Sequence, residues 1–181
     1  MGKIIAPLPV KLFCGILTSL PEMLRAAQER LEARFGPVDA CSEILPFDQT
    51  SYYDQEMGCP IQRQFLAFRD LIAPAGLPSV KRAANDLEAA LAAECSLVRR
   101  PVNIDPGYLE EAKIVLASTK NFYHRILLSA DIYGEVTLRW AGGGWQAFPW
   151  TFPDFRSGRY DAFFTSLRRT YREQLRPSGG E

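Results

Sequence analysis

Val10-Lys11-Leu12-Phe13-Cys14-Gly15-Ile16-Leu17 is a short, β-leaning apolar run that stops too soon for a helix, and it reads as a largely buried strand. The next ninety residues decide the fold. Ser19-Leu20-Pro21-Glu22 has the spacing of a capping box, with Pro21 pre-set for the first turn. From there Leu20, Leu24, Ala27, Leu31 and Phe35 line one helical face, and Gly36-Pro37 ends the helix. Residues 38 to 47 read as a second strand and Gln62 to Ile72 as a third, with a polar loop from Asp48 to Pro60 between them. Pro78 and Ser79 open a second helix carrying Val80, Ala84, Leu87 and Leu91 at helical spacing, and Arg100 to Ile104 is a short strand. The order over residues 10–105 is βαββαβ. It predicts an α+β fold whose first part is ferredoxin-like, an antiparallel sheet with two helices on one face.

Residues 106–176 read differently. Leu109 to Ala117 is expected as a short helix after Asp105-Pro106-Gly107. His124 to Leu128 and Tyr133 to Trp140 form a predicted hairpin, and Gly142-Gly143-Gly144 turns into a third short strand near Trp145 to Phe148. This antiparallel meander leads to a C-terminal helix, Tyr160 to Leu175, with Tyr160, Phe163, Phe164, Leu167, Tyr171 and Leu175 on one face. Pro177 to Glu181 reads as a fraying tail. Neither a repeat nor a low-complexity linker divides the chain, so residues 1–181 read as a single domain.

Composition narrows the classes of function. With 181 residues, 47% of them hydrophobic, the chain can bury roughly 70% of its unfolded surface without staples. Lys and Arg number 21 and Asp and Glu 21, a balance that argues against a protein living on phosphate neutralisation. No run approaches a membrane span, and Met1 to Pro7 is too short and broken for a signal peptide, so no membrane partner and a cytoplasmic location are expected. Cys14, Cys41, Cys59 and Cys95 are scattered, and with His124 as the one histidine they make no zinc motif. P-loop, dinucleotide-binding, zincin and nucleophile-elbow patterns are absent, and the Arg63 to Phe68 strand misses the RNA-recognition spacing.

Polar residues gather at the ends of predicted elements, where binding groups tend to sit. Asp105, before Pro106-Gly107, is either a free carboxylate or a helix cap. Ser118-Thr119-Lys120-Asn121 is either an oxyanion cradle or a helix C-terminal turn. His124 and Arg125 are expected on opposite faces of their strand. Glu135, facing His124 across the hairpin, would fix the imidazole tautomer or share a divalent metal with it and Asp105, unless the pair is only a cross-strand contact. Phe148-Pro149-Trp150-Thr151-Phe152-Pro153-Asp154-Phe155-Arg156 is either an aromatic lid beside Arg156 or a hydrophobic strap over a sheet edge. Arg156, Arg159, Arg168, Arg169, Arg172 and Arg176 make the C-terminal end locally basic, a minor case for nucleic acid.

Pro46-Phe47-Asp48 with Tyr52-Tyr53 and Glu56-Met57-Gly58, then Val102 to Leu109, Leu116 to Lys120, His124-Arg125, Glu135 to Leu138 and Pro149 to Arg156 carry a resemblance. From about Val10 to about Tyr171 the chain resembles the bacterial domain-of-unknown-function 4416 family. That resemblance implies a bacterial, cytoplasmic, single-domain protein and brings no catalytic residues with it. The residues themselves point to an anionic, phosphorylated or nucleotide-like small molecule, with a divalent metal as a possible companion. Tyr53, Glu56, Asp105, Lys120, Arg125 and Arg156 are the expected ligand-binding set. His124 and Glu135 are the general acid/base candidates if the site carries out chemistry. The competing expectation is an interaction module that docks a protein or a second copy of itself through a free sheet edge or the aromatic strap.

Overall fold

Nine strands join in one antiparallel sheet in the computed structural model, which describes residues 2–176. They are β1 (Val10–Thr18), β2 (Val38–Cys41), β3 (Leu45–Pro46), β4 (Gln62–Ile72), β5 (Asn103–Leu109), β6 (Lys113–Ser118), β7 (Ile126–Ser129), β8 (Ile132–Ala141) and β9 (Gly144–Ala147). The helices are α1 (Pro21–Phe35), α2 (Asp54–Met57), α3 (Leu77–Glu94), α4 (Pro153–Arg156) and α5 (Asp161–Gln174). Across the sheet the order is β2-β4-β1-β5-β6-β8-β7, with β3 beside β4 and β9 beside β8.

β1 is buried along its whole length, as its unbroken apolar run demands, and its alternating side chains divide the core. Leu12, Cys14 and Ile16 pack under α1 and α3, against Leu24, Ala27, Leu31, Val80, Ala84 and Leu91. Phe13 packs on the opposite face with Phe65, Phe155, Phe164 and Tyr171. Burial drives the Cys14 thiol upward, which leaves it an inert hydrophobe.

The fold is therefore mixed α and β around an antiparallel sheet, and the strands of the βαββαβ part and of the later hairpins all join in that one continuous nine-stranded sheet. Its helices cover both faces. The helix expected over Leu109 to Ala117 is instead the end of β5, a turn in which Glu110 N–H donates to the Lys113 carbonyl (3.0 Å), and β6. Helix-forming residues lose here to the demand for apolar Ile114, Val115 and Leu116 in the sheet interior. The 38 to 47 strand is broken into β2 and β3. The capping box at Ser19 does not form: α1 has no side-chain cap, and the Ser19 hydroxyl donates to the Met57 carbonyl, tying β1's exit to α2. No helix among the described residues is long and apolar enough to cross a membrane. The tail expected to fray, 177–181, lies outside the described residues.

Candidate functional site

β5 and β6 part company part-way along. Their register runs Leu109 to Ile114, Tyr108 to Val115 and Gly107 to Leu116, and stops there. β5 begins four residues earlier at Asn103 and β6 ends two residues later at Ser118, so the two strands form a fork. Gly107 sits at its apex for a steric reason: a Cβ there would lie 2.5 Å from the Val115 carbonyl oxygen and 2.7 Å from the Phe13 ring. In the fork Ile104 has no β6 partner. Its N–H donates to Glu88 Oε1 (2.7 Å) and its carbonyl accepts from Lys81 Nζ (2.8 Å), both from α3. Pro106 points its missing N–H to the same side by strand alternation, so a proline is tolerated where no ladder bond is made.

One bank of the fork is a dense ionic network. Arg63 of β4, its side chain 7% exposed, donates to Asp154 Oδ2 (2.5 Å) and reaches Asp105 Oδ2 (3.4 Å). The Phe47 ring lies 4.8 Å from its guanidinium carbon. Burial pulls the Arg63 guanidinium down, but the Asp154 and Asp105 carboxylates outweigh it and the net shift is upward. Asp105 also accepts from Asn103 Nδ2 (2.8 Å) and lies 3.9 Å from Lys81 Nζ. Arg100 pairs with Glu88 (3.1 Å) and Glu56 (3.7 Å) and donates to the Asn103 side-chain oxygen. Burial pushes the Glu88 carboxyl up, while Lys81, the Ile104 N–H and Arg100 pull it back. Tyr160 donates to Asp154 (3.0 Å). Every cation of this bank is thus matched by a carboxylate.

The other bank is built around Glu135 of β8, whose side chain is 1% exposed. Its Oε2 meets both His124 Nε2 (3.0 Å) and Arg125 Nε (2.7 Å). His124 and Arg125 are therefore not on opposite faces. They precede β7, in a turn closed by the Arg125 N–H on the Phe122 carbonyl (3.0 Å), where strand alternation does not apply. Arg125 Nη1 also donates to Ser118 Oγ and to the Lys120 carbonyl, both at 2.8 Å, which fixes the loop after β6. His124 stacks on Trp150 (5.5 Å between centroids, 9° between planes), and Trp150 on Phe148 (4.9 Å, 4°).

The polar loop between β3 and β4 spans the two banks. Tyr53 lies over Arg100 (5.5 Å), and burial, with Asp105 adding to it, pushes its phenol up to about 12. Tyr52 meets Tyr53 edge-on (4.9 Å) and its hydroxyl accepts from Lys120 Nζ (2.8 Å), the ammonium lying 4.8 Å from the Tyr52 ring centre. Tyr53, Glu56, Asp105, Lys120, Arg125, His124 and Glu135, scattered over more than eighty positions, thus meet around one end of the sheet.

Arg156 does not join them. It donates to the carbonyls of Pro149 (2.7 Å) and Thr151 (2.9 Å) and holds the 148–156 segment in shape. That segment lies along the outer edge of β8, where Trp150 Nε1 donates to Val136 O (3.0 Å) and Thr151 Oγ1 to Thr137 O (2.6 Å). It acts as a strap over a sheet edge, and the Trp150 ring is already engaged in stacks with His124 and Phe148. Among the described residues no three His, Cys, Asp or Glu side chains are placed to hold a metal, so Asp105, His124 and Glu135 do not converge on one ion. The basic C-terminal end is also largely engaged: Arg159 bonds Pro46 O and Asp48, and Arg168 and Arg172 reach Glu111. A groove of about 340 Å³ lies away from the fork, between β2 and α5, lined by Ala40, Leu45, Phe163 and Leu167 among others, and holds none of the fork's carboxylates.

Arg63, Lys81, Glu88, Arg100 and Asp154 belong to the site although the sequence reading does not single them out. The available signal is a charge inside a strand or helix face that otherwise reads as core, since buried charges are rare unless paired. A family model, described as a domain of unknown function (DUF4416), matches residues 8–171. No curated protein and no solved structure matches the chain.

Proposed function

The chain belongs to the DUF4416 family, and within it we propose that the β5–β6 fork binds a small phosphorylated or nucleotide-like anion. Lys120 carries this reading. Arg63, Lys81, Arg100 and Arg125 all meet carboxylates within 4.0 Å, whereas among the described residues Lys120 has the Tyr52 hydroxyl and no carboxylate. An exposed ammonium held by a phenol, on a loop whose Lys120 N–H donates to the Ser118 hydroxyl, is a ready partner for a phosphate oxygen. Across the fork Asp105, with its side chain 30% exposed, accepts hydrogen bonds and suits the hydroxyl or amino end of the same molecule. In this reading Glu135 and His124 position Arg125 and the 118–125 loop. The His124 ring offers one nitrogen to Glu135 and has the other buried, which favours a positioning role over proton transfer to a ligand.

On the same footing we read β1-α1-β2-β4-α3-β5 as a ferredoxin-like unit, supported by the order β2-β4-β1-β5 and by α1 and α3 on one face. The bacterial, cytoplasmic setting is likewise a proposal, resting on the family.

A thermal-shift series with inorganic phosphate, ribonucleotides and sugar phosphates tests the ligand class. A ligand at about 100 times its Kd adds about 2.7 kcal/mol, which for a chain of this size is a rise of roughly 5–10 °C. The rise should vanish in Lys120→Ala and shrink in Asp105→Asn. No shift from any of these compounds overturns the reading, and so does a shift that Lys120→Ala leaves intact.

A further inference from the structure

We infer that β7 is a self-pairing edge, and that two copies of the chain join through it into one continuous sheet. β7 is the last strand on its side of the sheet, bonded to β8 on one flank only. Its three apolar residues stand in solvent, Ile126 at 73% exposure, Leu127 at 53% and Leu128 at 44%, and the turn before it adds Phe122 at 56% and Tyr123 at 79%. Since alternate residues of a strand point to opposite faces, this exposure means that neither face of β7 is covered. A free strand edge with uncharged, apolar side chains is a template for another strand.

The same sheet shows what a guarded edge looks like. β2, at the far end, follows Pro37, its Val38 N–H is taken by the Glu32 carboxylate (2.9 Å), and it carries Asp39, paired with Lys11 at 2.5 Å. The rest of β8's outer edge is closed by β9 and by the Trp150 and Thr151 bonds of the strap. β7 is as short as β2, its pairing with β8 is irregular between Leu127 and Ser129, and Arg82 holds Ser129 at its end, but among the described residues no charge or proline in the strand and no covering segment guards the outer flank of Ile126 to Leu128.

The occupant that fits is a second β7. A twofold axis through the strand sets Ile126-Leu127-Leu128-Ser129 antiparallel to itself, with no charge on either strand to repel its mate. The charges flanking each strand are spent within their own chain, Arg125 on Glu135 and Asp131 on Arg82, so neither end of the pair sets like charges free against each other. Two aromatic and three aliphatic side chains per copy, each giving up on the order of 100 Å² of its exposed surface, remove about 1,000 Å² from water, the low end for a specific interface. The dimer is thus expected to be of micromolar strength, reversible and closed at two.

Sedimentation velocity on the full chain, up to about 200 µM and so well above a micromolar Kd, should show a monomer–dimer equilibrium. Leu127→Lys should shift it to monomer, dissociating the pair at least tenfold more readily, while Leu127→Met keeps the dimer. Leu127 is half exposed, so both variants should fold with an unchanged melting temperature. A wild-type chain that is monomeric throughout, a dimer that survives Leu127→Lys with native circular dichroism, or growth past the dimer into open oligomers would each overturn the inference.

Discussion

The two banks of the fork use the same residue types and reach different ends. On the β4–β5 bank three cations, Arg63, Lys81 and Arg100, are locked among Asp154, Asp105, Glu88 and Glu56, and the guanidinium of Arg63 is almost wholly buried. On the β6–β8 bank one carboxylate, Glu135, is buried and serves two donors, which leaves Lys120 without a carboxylate among the described residues. A charge whose partner is supplied by its own chain holds shape. A charge without one is free to meet a ligand. The difference lies in carboxylate supply: four carboxylates stand among three cations on the first bank, and one serves Arg125 and not Lys120 on the second.

The first bank should break hardest. Asp154→Ala leaves the Arg63 guanidinium buried beside a single distant carboxylate, and losing one partner of a buried pair costs about 3–5 kcal/mol. Urea unfolding should show that loss, and the double variant Arg63→Met with Asp154→Leu should recover most of it, because apolar isosteres fill the same space without the desolvation penalty. A small cost for Asp154→Ala would mean that the network is slack, and the contrast with the second bank would fall. Glu135→Gln comes next. The amide keeps an acceptor but loses its charge toward Arg125, so about 1–3 kcal/mol is expected. Because Arg125 anchors Ser118 and the Lys120 carbonyl, this variant should also weaken whatever Lys120 binds.

A gentler perturbation is alkaline pH, which acts through the tyrosine between the banks. The Tyr53 phenol is raised by burial, with Asp105 reinforcing it, from an ordinary 10.0 to about 12. A folded-state value above the unfolded one means that its stabilising contribution is whole below pH 10.0 and is lost as pH rises through about 12. Denaturation midpoints should therefore fall between those two values, and the fall should lessen in Tyr53→Phe. Phenolate absorbance should show Tyr53 titrating late in the native chain and near its ordinary value after unfolding. An unchanged pH profile in Tyr53→Phe would argue that the loop does not seal the fork.

Much of this architecture is legible from local pattern. The buried run of β1, the four-three spacing of α1 and the aromatic face of α5 each come from one segment and its period. Asp105, Lys120 and Arg125 can be singled out because polar residues at the ends of expected elements have few structural excuses, and Glu135 because the expected hairpin sets it opposite His124. Positions whose meaning is set by distant neighbours escape such reading. Asp105-Pro106-Gly107 has the composition of a turn, but the Phe13 ring and the Val115 carbonyl leave room only for glycine, and the fork leaves Pro106 without a ladder bond to lose. Arg63 and Asp154 are 91 residues apart, and nothing in either segment announces the other. The strand expected to separate His124 from Arg125 starts at Ile126, a boundary error of two residues that changes which face each occupies.

Lys120→Ala should produce the smallest effect on folding and decides the comparison. Its ammonium touches the Tyr52 hydroxyl and ring at an exposed loop, so the melting temperature of the free protein should stay within about a degree of wild type. If the two banks divide as their carboxylates divide them, the stabilisation by phosphorylated compounds disappears in this variant while Asp154→Ala, studied at a temperature where it remains folded, retains it. Lys120→Arg separates charge from shape: a guanidinium keeps the charge but alters the reach to Tyr52, so it should bind phosphate with altered affinity rather than lose it. Equal loss of ligand response in Asp154→Ala and Lys120→Ala would mean that the network, and not the unpaired ammonium, forms the site.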